Sequence, residues 1–195
     1  MNNKFRISSL LVILFLAFGI SSCKKDNPVP EINQEDFDKT VLTFIEVQEN
    51  GGQFNELDTA LSITFDASGK PDKSHYHLQA GRKYRLYIKL HSGGDLINDE
   101  IMEEASSHQF FFTGAPEGVL NYTYEDNIGL KGILEVVKEN ATFDFNIVLR
   151  HGIRKTNPVL PWNTIRSEYT KHGGSDDLNI TFKLHPTAGD SHDDH

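Results

Sequence analysis

From about residue 39 the chain alternates apolar and polar residues at period two, and this pattern confines it to half-buried strands. Val41, Thr43, Ile45 and Val47 fall on one side, with Leu42, Phe44 and Glu46 on the other. Leu61, Ile63 and Phe65 mark a second strand. Tyr84, Leu86, Tyr87, Ile88 and Leu90 mark a third, after the turn signal Ala80-Gly81. Residues 109–112, 119–124, 132–137, 143–149 and 178–184 are further strand candidates, rich in β-branched and aromatic side chains. Asn50-Gly51-Gly52, Gly93-Gly94 and Gly173-Gly174 punctuate them. One acidic helix is expected over residues 97–107. Asp95 or Asn98 is placed to cap it, and Ile97, Ile101 and Ala105 share one side. The expected fold is all-β: a single immunoglobulin-like β-sandwich of about eight strands with one short acidic helix.

The first residues say where such a domain is carried. Lys4 and Arg6 precede an unbroken apolar run over residues 10–20, which ends in Ile20-Ser21-Ser22-Cys23. As a helix this run covers about 17 Å, against a bilayer core of about 30 Å, so it reads as a signal-peptide core. Its last four residues resemble a lipobox, with Cys23 as the lipidated residue. Cys23 is also the only cysteine, which leaves no intramolecular disulfide and no thiolate metal site. The expected organisation is a signal peptide at 1–22, a lipid anchor and tether at 23–37, the sandwich at 38–186 and a disordered His/Asp tail at 187–195. Removing residues 1–22 takes away Lys4 and Arg6, leaving 17 basic against 28 acidic residues, a balance of −11. So acidic a body argues against nucleic acid as a partner.

Residues 152–174 form a connection unusually long for a compact domain. Trp162, the only tryptophan, lies between Pro158 and Pro161 on one side and the rest of the loop on the other. It reads either as a partner-contact residue or as a plug beneath the loop. Asp58-Thr59-Ala60 resembles an O-glycosylation acceptor of exported bacterial proteins, which makes Thr59 a candidate in a surface loop.

Four segments together carry a family resemblance. They are Glu103-Glu104-Ala105-Ser106-Ser107-His108-Gln109-Phe110-Phe111-Phe112, Gly129-Leu130-Lys131-Gly132, Phe143-Asp144-Phe145-Asn146-Ile147-Val148-Leu149-Arg150-His151 and Asp177-Leu178-Asn179-Ile180-Thr181-Phe182. In this order they resemble small outer-membrane lipoproteins often described as "type 1 periplasmic binding fold superfamily protein", some of them associated with TonB-dependent receptors. The resemblance spans residues 38–185. It implies an outer-membrane accessory role, on the periplasmic or cell-surface face. The α/β fold in that description needs alternating strands and helices, a pattern this chain lacks.

Histidine is the residue type that carries chemistry here, with nine in the chain. His75 and His77 are two apart, so on one strand both imidazoles point to one face. Imidazole binds zinc, copper, nickel and iron, although exposed strand histidines are the commoner cause of this spacing. Glu100, Glu104 and His108 are four apart and share a face if the helix reaches His108. His108 and His151 both fall inside the four segments, and they share a site if their strands are neighbours. The competing account gives each one structural hydrogen bond. The tail residues His192 and His195 add donors without preorganisation.

No GxSxG, HExxH, phosphate-binding loop or dinucleotide-binding glycine pattern is present, so no enzyme is expected. The reading is a non-enzymatic, lipid-anchored outer-membrane accessory that binds or delivers a ligand to a TonB-dependent receptor. A divalent transition metal or its complex is the first ligand, held by His75, His77, Glu104, His108 and His151. The alternative is a structural or adhesive surface module with no small ligand.

Overall fold

The computed structural model describes residues 36–188. The signal segment, Cys23, most of the 23–37 tether, and His192 and His195 of the tail lie outside the described residues. Ten strands form two sheets. They are β1 (Lys39–Asn50), β2 (Gln53–Asp66), β3 (Tyr76–Gln79), β4 (Arg82–Ser92), β5 (Asp95–Leu96), β6 (His108–Thr113), β7 (Leu120–Tyr124), β8 (Lys131–Val136), β9 (Phe143–His151) and β10 (Ser175–Thr187). The first sheet runs β2-β1-β4-β8-β7, with β5 paired to β4, and the second runs β3-β10-β9-β6. All pairings are antiparallel except β3 with β10.

This order is that of an immunoglobulin-like sandwich. Strands β1, β4, β8 and β7 take the A, B, E and D places, and β6, β9 and β10 take C, F and G. The chain adds β2 outside the A place and β3 outside the G place. All eight strands expected from periodicity are present. The short β3 and β5, and the exposed first half of β2, gave too little apolar alternation to be read. Thr59 lies there, exposed, on a strand instead of the expected loop. It sits between two register shifts in the β1–β2 pairing. Such bulges blunt an edge strand against pairing with other chains.

The interior is aromatic. Phe65, Tyr76, Phe112, Phe145 and Phe182 link the two sheets, with Phe145 and Phe182 meeting edge to face at 5.6 Å. The run Phe110-Phe111-Phe112 escapes alternation because β6 is covered on both sides. Phe110 and Phe112 face the core, while Phe111 joins Val148, Ile153 and Tyr169 in a second cluster beneath residues 152–174. That long connection is therefore a lid on the outer face of the second sheet. It carries α2 (Arg166–Tyr169) and a 3-10 turn over Thr170–His172.

The acidic helix is shorter than expected: α1 spans Asn98–Glu103, so no helix face carries Glu104 on to His108. Neither Asp95 nor Asn98 caps it. Asn98 instead accepts from Leu90 N–H at 2.8 Å and donates to the Ile88 carbonyl at 2.7 Å. Its amide substitutes for ladder bonds on β4, and that fixes where the helix begins.

On the outer face of the first sheet, Arg85 binds Glu125 through Nε at 2.7 Å and Nη2 at 2.9 Å, and Glu56 through Nη1 at 2.8 Å. The Arg85 hydrogen bond holds the Glu125 carboxyl below its ordinary value of 4.5. A carboxylate lowered in the folded state adds stability above about pH 4.5, and that stability is lost as pH falls through the folded value. Arg85→Met is expected to cost about 1 kcal/mol at pH 7 by urea unfolding. Below pH 4.5 the gap between wild type and variant should narrow. A gap that stays constant down to pH 3 would rule out this network as its source.

Candidate metal centre

His108 opens β6 and His151 closes β9, and the antiparallel register sets them directly opposite each other. Their ring centroids are 4.4 Å apart. The two connections that meet here, β4 to β6 and β9 to β10, correspond to loops at the binding end of variable immunoglobulin domains. That analogy gives a position and no ligand.

Hydrogen bonding assigns the His108 tautomer and places a proton on His151 Nδ1. His108 Nδ1 lies 3.1 Å from the Glu104 carbonyl oxygen. A carbonyl only accepts, so Nδ1 carries the proton and Nε2 keeps its lone pair. His108 is 1% exposed, and Nε2 has no hydrogen-bond partner among the described residues. Burial pushes the His108 imidazole below its ordinary value, against the opposing pull of the Glu104 carbonyl, and the His151 and Lys155 charges push it the same way as burial. His151 Nδ1 lies 3.0 Å from Asp177 Oδ2, whose side chain is 0% exposed. With that proton on Asp177's side, His151 Nε2 faces Glu104 Oε2 at 3.6 Å.

The local chain explains this convergence. The Glu104 carbonyl also accepts from Ser107 N–H and Oγ, at 2.9 and 3.0 Å, which makes a tight turn between α1 and β6. The β9–β10 register shifts between Asp176 and Leu178, leaving Asp177 as the extra residue of a bulge. Bulges re-aim side chains, and this one turns Asp177 onto His151. Arg150 pins the same return. It donates to the Gly173 and Gly174 carbonyls and to Asp176 Oδ1, the last at 2.7 Å, and its guanidinium lies 5.6 Å from the Tyr169 ring centre.

One donor atom each from Glu104, His108 and His151 lies within 4.8 Å of the others. Two imidazoles and a carboxylate are a standard set for zinc or ferrous iron, leaving further positions open. The Asp177–His151 contact is the carboxylate–histidine support that orients metal-bound imidazoles. Glu104 is 60% exposed, so an ion can arrive from solvent past its carboxylate.

His75 and His77 do not join this group. His75 precedes β3 and is exposed, with its ring edge-on to His77 at 5.1 Å. His77 lies across from His185 on β10, their rings 5.1 Å apart. His185 lies at one end of the β9–β10 ladder and His151 at the other, about 30 Å apart along the strands. The five expected ligands therefore divide, and three form a centre. Glu100 is outside it. Trp162 lies half-buried against the core, 6.4 Å from Tyr122 between ring centres, and its carbonyl accepts from Phe112 N–H at 2.8 Å.

The residue sequence reasoning misses is Asp177, whose contact with His151 only the fold creates. It lies 26 positions from His151, and no local spacing links the two. In comparisons with known proteins, no family model and no curated protein matches this chain.

Proposed function

We propose that this chain is a lipid-anchored outer-membrane accessory protein whose sandwich holds a divalent transition metal, free or complexed, for delivery to a TonB-dependent receptor. The observation that carries the metal is the buried lone pair of His108 Nε2, facing a second imidazole and a carboxylate. A buried polar atom without a partner is costly, and a cation in this position removes the cost. Three protein ligands with open positions suit a cargo that must leave again, or one that arrives with ligands of its own. The lipobox at Cys23 and the resemblance described above support the anchor and the partner.

The test is purification of the tagged protein from detergent-solubilised membranes, with zinc or with chelator. A co-purifying TonB-dependent β-barrel, reduced by His108→Ala in the zinc sample, is the expected result. Absence of such a barrel while zinc stays bound would sink the delivery reading. A non-receptor partner retained whatever the metal would favour the adhesive surface module.

A further inference from the structure

The connection that brings Glu104 to the metal centre is charged in one sign only. Residues 93–107 carry five carboxylates, Asp95, Asp99, Glu100, Glu103 and Glu104, and no lysine, arginine or histidine. All five residues are exposed. Apart from Glu104, which faces His151, none of them makes an ion pair among the described residues. Asp99 and Glu103 are four apart on α1, where like charges repel. No cation in the connection relieves them, so helix stability does not account for this composition.

Placement relative to the centre does. Glu104 follows α1 directly, and Asp99 precedes it by about 8 Å at the helical rise. The far side of the centre is closed: His108 is 1% exposed, and its Nε2 lone pair has no partner among the described residues. Glu104, 60% exposed, is the open side. An ion arriving from solvent therefore crosses the field of these carboxylates before it meets an imidazole.

The opposing charges are fewer. Arg150 is paired with Asp176 at 2.7 Å. The segment after His151 is tied to the same turn by Ile153 N–H on the Ser107 carbonyl, at 3.0 Å, and it carries Arg154 and Lys155. The charge of Asp126 acts on Lys155 and offsets part of its own. Two cations against five carboxylates leave the entrance negative. Such a field raises the local concentration of a dication and lowers that of an anion, over a Debye length of about 8 Å at physiological salt.

We propose that the centre takes up its metal as a hydrated dication, drawn in by Asp95, Asp99, Glu100 and Glu103, and turns away metal held in an anionic chelate. This rests on the metal centre proposed above and narrows its cargo to the ion itself. None of the four steering residues needs to touch the bound metal. Their effect falls on the rate of arrival and on its salt dependence.

The experiment is rapid mixing of zinc with the full chain, stripped of metal with EDTA, dialysed, and carrying His192→Ala and His195→Ala. Free zinc remaining at each delay is read with a fluorescent indicator. At about 10 mM ionic strength, Asp99→Asn with Glu103→Gln should slow association at least about threefold, with dissociation within about twofold of the parent. In about 0.5 M salt, where the Debye length falls to about 4 Å, the gap should close. Glu117→Gln with Glu139→Gln removes the same charge from the β6–β7 and β8–β9 connections, at the opposite end of the sandwich, and should leave the rate unchanged. With citrate in excess, uptake should follow the concentration of free zinc and not the total. The proposal is overturned if the Asp99 and Glu103 variant matches its parent at low salt, if the distant pair slows association as much, or if uptake tracks total zinc. Each of those results leaves the centre itself standing. A parent that takes up no zinc at all would sink the centre, and this inference with it.

Discussion

Zinc titrated into the chain carrying His192→Ala and His195→Ala is expected to bind one-to-one, with a Kd below about 1 μM. His151→Ala should weaken this at least about a hundredfold, and His108→Ala similarly, because each removes one of three protein ligands. Burial lowers the hold of the His108 imidazole on a proton, so protons compete less with the metal there. Asp177→Asn is the more searching variant. It preserves shape and leaves an amide oxygen to accept from His151 Nδ1, but it removes the charge that makes the imidazole a better donor. Loss of such a partner costs about 10- to 100-fold in metal affinity.

The control is set by distance. His75→Ala and His77→Ala lie about 30 Å away along the sheet and should leave zinc binding unchanged. If those two variants weaken binding while His108→Ala does not, the centre is misplaced and the histidine row beside β10 is the better site. If no variant matters, the ion is held by scattered surface groups.

Much of this was legible from the residues, and the part that was not has one cause. Side-chain parity along a strand follows from the chain, so Leu42, Phe44, Phe145 and Phe182 were recognisable as strand residues. Which strands become neighbours depends on the whole topology. His108 and His151 were recognisable as a pair to watch, but only the β6–β9 register sets them opposite each other. His75 and His77 showed the same local pattern and belong to the other end of the sheet. The helix was overextended because acidic and apolar spacing continued past Glu103, whereas the Glu104 carbonyl collects three donors that turn the chain. Asp177 had no periodic signature at all. A bulge aims it, and a bulge leaves no mark in spacing.

Gly174→Ala is expected to be the most damaging conservative change near the centre, at about 3 kcal/mol or more. Gly174 has φ +78°, and a Cβ there would collide with the His151 carbonyl oxygen and come within 2.9 Å of the Gly152 carbonyl carbon. Those obstacles are backbone, so no flexible side chain can swing aside. Relief requires Gly174 to move off β9, which loosens the Ser175–His151 pairing, the Arg150 clamp on the Gly174 carbonyl and the aim of Asp177. For a domain of this size such a loss lowers Tm by about 6–12 °C, and zinc affinity should fall with it. Gly173→Ala separates the two causes. Its φ of +86° and ψ of −168° also disfavour a side chain, yet the nearest atom to an added Cβ is the Gly152 oxygen at 3.8 Å. That variant should cost less, about 1–3 kcal/mol from backbone strain, and keep its zinc. Thermal unfolding of both, with and without zinc, decides the matter. Equal losses would mean that backbone dihedral strain alone is at work, and that the close packing of residue 174 on the His151 carbonyl contributes nothing to holding the centre together.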